Sequence, residues 1–151
     1  MNNEIAIRKI MKHELPQLLE LYKHLNKDDP ELTLENVQTL WEEIYYNKRT
    51  HYIVADNDGQ LVASCVLTIV PNLTRGARPY GLIENVVTHS DFRRRGLGTK
   101  ILGAALRTAW EQNCYKVMLL TGSKKEETLS FYEKAGFKRD IKTGFIATPL
   151  N

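Results

Sequence analysis

Val86-Val87-Thr88-His89-Ser90-Asp91-Phe92-Arg93-Arg94-Arg95-Gly96-Leu97-Gly98-Thr99-Lys100 joins an apolar strand to a helix through a turn with three arginines and two glycines. The first amides of a helix have no intrahelical acceptor and sit at the positive end of its macrodipole. A strand-turn-helix of this composition is therefore a ready anion cradle, and a diphosphate fits it. Gly96 and Gly98 let the backbone approach the oxygens with no Cβ in the way. Two better-known cradles fail on spacing. The P-loop needs four residues between its glycine and Gly-Lys-Ser/Thr, whereas Gly96-Leu97-Gly98-Thr99-Lys100 is too compact. The dinucleotide fingerprint needs a third glycine where this chain has Ile101. The competing reading of the segment is a helix-starting glycine beside a solvated run of arginines.

On the N-terminal side of the cradle, Ile5, Ile7 and Ile10 read as a first strand. Leu15, Leu18, Leu19 and Tyr22 recur at helical spacing. Thr33 is a natural N-cap for a second helix with Leu34, Val37, Leu40, Trp41 and Ile44 on one stripe. Tyr52-Ile53-Val54-Ala55 and Leu61 to Val70 are β-rich runs on either side of Asp56-Asn57-Asp58-Gly59, whose Asp-Gly step predicts a hairpin. Residues 71–79 form a loop with Arg75 and Arg78 as its charges, and Leu82 to Thr88 is the strand that enters the cradle. Beyond the cradle helix (96–113), Lys116 to Thr121 predicts a strand and Ser123 to Ala135 a helix closed by Gly136. Phe137-Lys138 and Gly144 to Thr148 read as final strands. The order predicts an α/β (α+β) fold: a mixed, mostly antiparallel sheet of six to seven strands with about four helices packed on it.

Composition bounds the function. At 151 residues and 17.4 kDa the chain is expected to form one domain, 1–151. Twenty-one basic against 18 acidic residues leave +3, too little for a duplex-binding face, and no aromatic stacking pattern accompanies the arginines; no nucleic-acid partner is expected. The apolar runs are strand-length, so no membrane span is expected. No basic-then-apolar leader opens the sequence, and Cys65 and Cys114 make no C-x-x-C pair, which suits a reducing, cytoplasmic setting. His13, His24, His51 and His89 are scattered without ligand spacing, and no metal is expected.

Arg93-x-x-Gly96-x-Gly98 resembles the coenzyme A signature Gln/Arg-x-x-Gly-x-Gly/Ala of the GCN5-related N-acetyltransferase (GNAT) superfamily. Thr128 to Phe137 resembles that family's second coenzyme A segment, in the correct order and separation. Ile83 to Val87, Asn113 to Lys116 and Phe131 to Lys134 are most similar to its glucosamine-6-phosphate N-acetyltransferase branch and bacterial relatives. The resemblance implies a sheet whose fourth and fifth strands splay, acetyl-CoA as cosubstrate, and direct transfer to a primary amine of a small molecule. It implies that the amides of Arg94, Arg95, Gly96, Gly98 and Thr99, around Leu97, meet the pyrophosphate, with the side chains of Arg93, Arg94 and Arg95 available to the phosphates. Val86, Val87 and Thr88 would pair with the pantetheine arm through their backbone. The family often has an asparagine on that arm three residues before the position of Thr128; this chain has Lys125, with Ser123 or Ser130 as substitutes. A homodimer is implied by the same branch, with 144–149 as a contact region.

For the chemistry, the resemblance makes Tyr132 the group facing the coenzyme sulfur; a core tyrosine is the alternative, since Leu129, Tyr132 and Ala135 share helical spacing. Glu84 sits in an otherwise apolar strand, where a partly buried carboxylate would accept the ammonium proton directly or through water. A structural ion pair is the alternative. Arg75 and Arg78 suit a phosphate, phosphonate or carboxylate on the acceptor, or else belong to a solvated loop. Acetylation of a protein N-terminus or lysine, and a non-catalytic acyl-CoA-binding module, are the rival functions.

Overall fold

A computed structural model describes residues 4–150. These fall into two compact units, 4–119 and 120–150. The first contains a five-stranded sheet in the order β1 (Ala6–Lys9), β2 (Thr50–Asn57), β3 (Gln60–Val70), β4 (Tyr80–Thr88), β5 (Val117–Leu119). Neighbours are antiparallel except β4 and β5, which are parallel. Helices α1 (Leu15–Tyr22), α2 (Leu34–Tyr46), the single turn α3 (Thr74–Ala77) and α4 (Leu97–Glu111) complete this unit. The second unit holds α5 (Glu126–Lys134).

The mixed, mostly antiparallel sheet agrees with the sequence reading; the strand number does not. Residues 137–138 and 144–148 form no strand, and Phe145 and Ile146 are 90% and 76% exposed. Short β-rich runs become strands only where a neighbour accepts their backbone bonds. The hairpin forms as expected: Asp58 and Gly59 have φ of 53° and 95°, and the Gly59 N–H donates to Asp56 Oδ1 at 2.7 Å. Thr33 caps α2, its hydroxyl accepting the Asn36 N–H at 3.3 Å.

β3 is buried along both faces, from Leu61 to Leu67. On one face Val54, Leu61 and Val87 pack with Ile10, Leu15, Leu18, Leu21 and Trp41, so α1 and α2 lie on that layer. Helix α4 packs on β2, β3 and β4 with Ile101, Leu102, Ala105 and Ala109 fully buried. Each such side chain contributes about 1.5–3 kcal/mol when a Leu or Ile leaves water.

One polar network sits at the edge of this core. Arg8 on β1 donates to Glu14 Oε1 and Oε2 at 2.9 and 2.8 Å and to Asp56 Oδ2 at 3.1 Å, and the Met11 N–H donates to Glu14 Oε1 at 2.8 Å. Glu14 is only 4% exposed, and the Arg8 guanidinium holds its carboxyl below the usual carboxylate range. Its contribution is present above the ordinary carboxylate pKa and lost as pH falls through the lowered folded-state value. Glu14→Gln leaves Arg8 short of a partner and should cost about 3 kcal/mol; it should also flatten the acid limb of the stability curve, as measured by urea unfolding between pH 7 and pH 3.

Candidate active site

Strand β4 positions the site. Its ladder with β3 runs its length, but its ladder with β5 covers only Gly81↔Val117, Leu82↔Met118 and Ile83↔Leu119. From Glu84 to Thr88 the strand has no β5 partner, which is the expected splay and leaves backbone donors and acceptors on one edge. Gly81 is where the two strands close up: a Cβ there would meet Leu67 Cδ1 at 3.0 Å and Val117 Cγ2 at 3.1 Å.

The register slips along β4. Glu84 opposes Val66 and Val87 opposes Ser64, so two β4 residues, Asn85 and Val86, stand against Cys65. Asn85 takes the strain with φ of 54°. Ile83 pairs with Leu67 and Val87 with Ser64, and partners three apart on β3 face opposite layers. The bulge therefore reverses the facing of β4: Ile83 is buried on one side and Val87 on the other. Tyr22 of α1 brings a buried hydroxyl beside Asn85, outside hydrogen-bonding geometry, and burial pushes that phenol upward. Nothing in the periodicity of 82–88 marks the bulge; an asparagine inside an apolar strand was the available signal.

At the end of β4 the chain makes a 3₁₀ turn, Ser90–Phe92, and enters α4. Arg94 has φ of 63° and Gly96 φ of 77°, with Arg95 between them at negative φ. This alternation turns successive amides toward one side, as in an anion-binding nest. Helix geometry leaves the Leu97, Gly98 and Thr99 amides without intrahelical acceptors, and Lys100 N–H closes the first bond to Gly96 O at 3.1 Å. The turn at 93–99 thus presents a run of amides with no intrahelical acceptor at the start of α4.

Its three arginines do different things. Arg93 Nε donates to Thr88 O at 3.2 Å and its Nη2 to His24 O at 3.2 Å, so this side chain braces β4 against the end of α1. Arg95 lies over the Phe92 ring at 4.9 Å. Both Arg94 and Arg95 are exposed.

Elsewhere the side chains sit as follows. Glu84 is exposed, where a partly buried carboxylate was expected; the sheet covers its neighbour Ile83 instead. Arg78 donates from Nε to Asn113 O at 3.2 Å and from Nη2 to Cys114 O at 3.1 Å, tying the 71–79 loop to the end of α4. Arg75 has φ of 56° and lies 5.8 Å over Tyr115. A cleft of about 740 Å³ opens among Lys48, Arg49, Ile69, Pro71 and Gln112, but neither Arg75 nor Arg78 lines it. It adjoins the start of β4, whereas the anion turn follows its end.

Within the second unit, the Tyr132 ring lies 4.9 Å from that of Phe131 with the planes tilted by 58°, and meets Phe137 edge-on at 6.4 Å. Helix α5 starts three residues later than the sequence suggests, with no side-chain cap from Lys125. Ser123 Oγ accepts the Lys125 N–H at 3.3 Å and donates to Thr128 Oγ1 at 3.1 Å, and the helix begins at Glu126. Glu126 pairs with Arg139 at 2.8 Å and accepts from Ser130 Oγ at 3.3 Å.

The cysteines are poor nucleophiles. Cys65 and Cys114 are 0% and 2% exposed, and burial pushes the Cys65 thiol up to about 12. No cluster of three or more His, Cys, Asp or Glu suited to a metal occurs among the described residues. Neither thiol should react with an aromatic disulfide reagent in native buffer, and both should react in denaturant; rapid labelling of the folded protein would reopen an acyl-cysteine route.

Comparison with known proteins places this geometry. Residues 17–137 match the model of the acetyltransferase (GNAT) family. A glucosamine 6-phosphate N-acetyltransferase from Trypanosoma brucei brucei is 31% identical over 135 residues, which is 89% of this chain and 90% of that protein. A putative acetyltransferase from Agrobacterium tumefaciens superposes with a TM-score of 0.91 at 45% identity, over 96% of this chain and all (100%) of that one. Glucosamine-6-phosphate N-acetyltransferase from Arabidopsis thaliana superposes with a TM-score of 0.85 at 26% identity, over 98% of this chain and 99% of its own.

Proposed function

This chain belongs to the acetyltransferase (GNAT) family and is an acetyl-transferring enzyme, and from that premise we propose that it moves an acetyl group from acetyl-CoA directly to a primary amine of a small molecule. The single observation that carries the reading is the junction of β4 and α4: an unpaired strand edge from Glu84 to Thr88 running into a nest of amides at 94–99. Pantetheine contains two amides and a pyrophosphate follows it, so one ligand matches both surfaces in sequence. We also propose that 1–151 acts as one acetyltransferase domain, a reading supported by the family match that runs from 17 to 137.

In the proposed reaction the neutral amine attacks the thioester carbonyl, a C–N bond forms, and the C–S bond breaks. A backbone N–H at Val86 or Val87 would stabilise the oxyanion. Glu84, solvent-exposed as it is, would take the ammonium proton directly or through water. Tyr132 would return a proton to the leaving thiolate. Arg93 contributes as a brace, and the backbone around Gly96 and Gly98 does the binding. The similarity to two glucosamine-6-phosphate enzymes favours an acceptor bearing an anion; since Arg78 is committed to the carbonyls of Asn113 and Cys114, Arg75 is the better candidate to meet it. We also propose a homodimer through the exposed apolar segment around Phe145 and Ile146 and, from the buried free thiols, a reducing cytoplasmic setting.

Coenzyme A at a hundred times its Kd should stabilise the fold by about 2.7 kcal/mol, read as a concentration-dependent rise in Tm; no shift at saturation would remove the cradle assignment. Tyr132→Phe should lower kcat about a hundredfold with coenzyme affinity nearly unchanged, measured by thiol release and calorimetry. Full activity in that variant would exclude Tyr132 as the acid.

A further inference from the structure

His24, two residues past α1, and His89, the last residue before the 3₁₀ turn, are 65 positions apart in sequence, yet their ring centroids lie 4.0 Å apart with the planes tilted by 36°. Each points its Nδ1 at the turn that feeds the cradle. The Asp91 N–H donates to His89 Nδ1 at 3.0 Å, and the Ser90 N–H donates to His24 Nδ1 at 3.4 Å. Arg93 closes the arrangement from the other side through His24 O and Thr88 O. The Phe92 ring meets His89 edge-on at 5.6 Å.

We propose that His24 and His89 are positioning residues for the anion-binding turn, acting as neutral hydrogen-bond acceptors and not as phosphate-binding cations. The chemistry follows from the imidazole. A ring nitrogen that accepts an N–H cannot itself carry a proton, so both rings are Nε2–H tautomers; an imidazolium has two donors and no acceptor. A proton on either ring removes the acceptor for one turn amide and places a cation beside Arg93 and the other histidine. The charged groups facing the pair are Asp91 and Arg93 of the turn, and Lys23 on the neighbouring helical end is engaged by Glu20 at 2.9 Å. Burial first, then His89 and Arg93, hold His24 below the ordinary imidazole range, which keeps it neutral near pH 7. The pair thus couples the end of α1 to the start of the cradle across the whole of β4's final turn, with no ligand contact of its own.

The inference rests on the reading of the turn as a coenzyme A site, and its test separates the two. Long-range ¹H–¹⁵N spectra of the free protein should show both rings as Nε2–H tautomers, with His24 titrating below the ordinary range; an Nδ1–H tautomer on either ring overturns the lock whatever the protein binds. Binding is then measured with 3′-dephospho-CoA, whose remaining phosphates do not titrate near neutrality. His89→Ala, which deletes the cap on Asp91, should raise Kd about fivefold. The loss should appear in KM for acetyl-CoA and spare kcat, and His89→Asn, whose Oδ1 accepts in place of Nδ1, should restore binding. Wild-type affinity should fall at least threefold from pH 7.5 to pH 5.5, and His24→Asn/His89→Asn should flatten that fall. Affinity that is flat or tightens with acid in the wild type, or an asparagine variant as weak as alanine, overturns the positioning role. If the wild type binds no coenzyme A, the functional reading fails while the tautomer spectra still decide the lock.

Discussion

Backbone groups must be satisfied, and β4 is the strand where this requirement is met on one side only. β3 pairs with it from Tyr80 to Thr88, while β5 pairs with three residues and stops at Ile83. The unpaired edge is short, from Glu84 to Thr88, and leads into a helix N-terminus, the two surfaces on which the proposed coenzyme site rests. The packing of α1, α2 and α4 serves to hold this one strand in position, with Val87 anchored in the α1–α2 layer and Ile83 buried on the reversed face.

The bulge at Asn85 makes that reversal possible. A regular strand would send Ile83, Asn85 and Val87 to one layer, and a polar residue would then lie in the core. Two residues opposite Cys65 remove the conflict: Asn85 goes to the exposed edge at a positive φ, and apolar side chains fill both layers. The strain of about 1 kcal/mol or more at such a residue is offset by the burial it permits. Arg93, His24 and His89 hold the turn that follows through its backbone groups, and the amides of 97–99 keep no intrahelical acceptor.

Much of this was legible in the sequence for local reasons. The Asp58-Gly59 hairpin, the Thr33 cap and the nest around Gly96 depend on what a few consecutive residues can do with φ, and the sequence carries that directly. Side-chain roles were less legible. Arg78 and Arg93 looked like ligands for anions, yet each spends its donors on main-chain carbonyls 35 or 69 positions away. Helix α5 begins at Glu126 and not at Ser123, and Glu126 is held by Arg139, 13 positions away. The expected strands at 137–138 and 144–148 have the right composition, and strand formation needs a partner that composition does not name.

By itself, then, the sequence determined the order of elements as far as the last helix, the mixed sheet and the strand-turn-helix at 86–100, because these follow from short-range periodicity and glycine-dependent turns. Only the tertiary structure decided where β4 bulges, that Glu84 faces solvent, and that His24 reaches His89. Those depend on register and on contacts between residues far apart in the chain, where the energy lies in which partner is present and not in which residue type stands at a position.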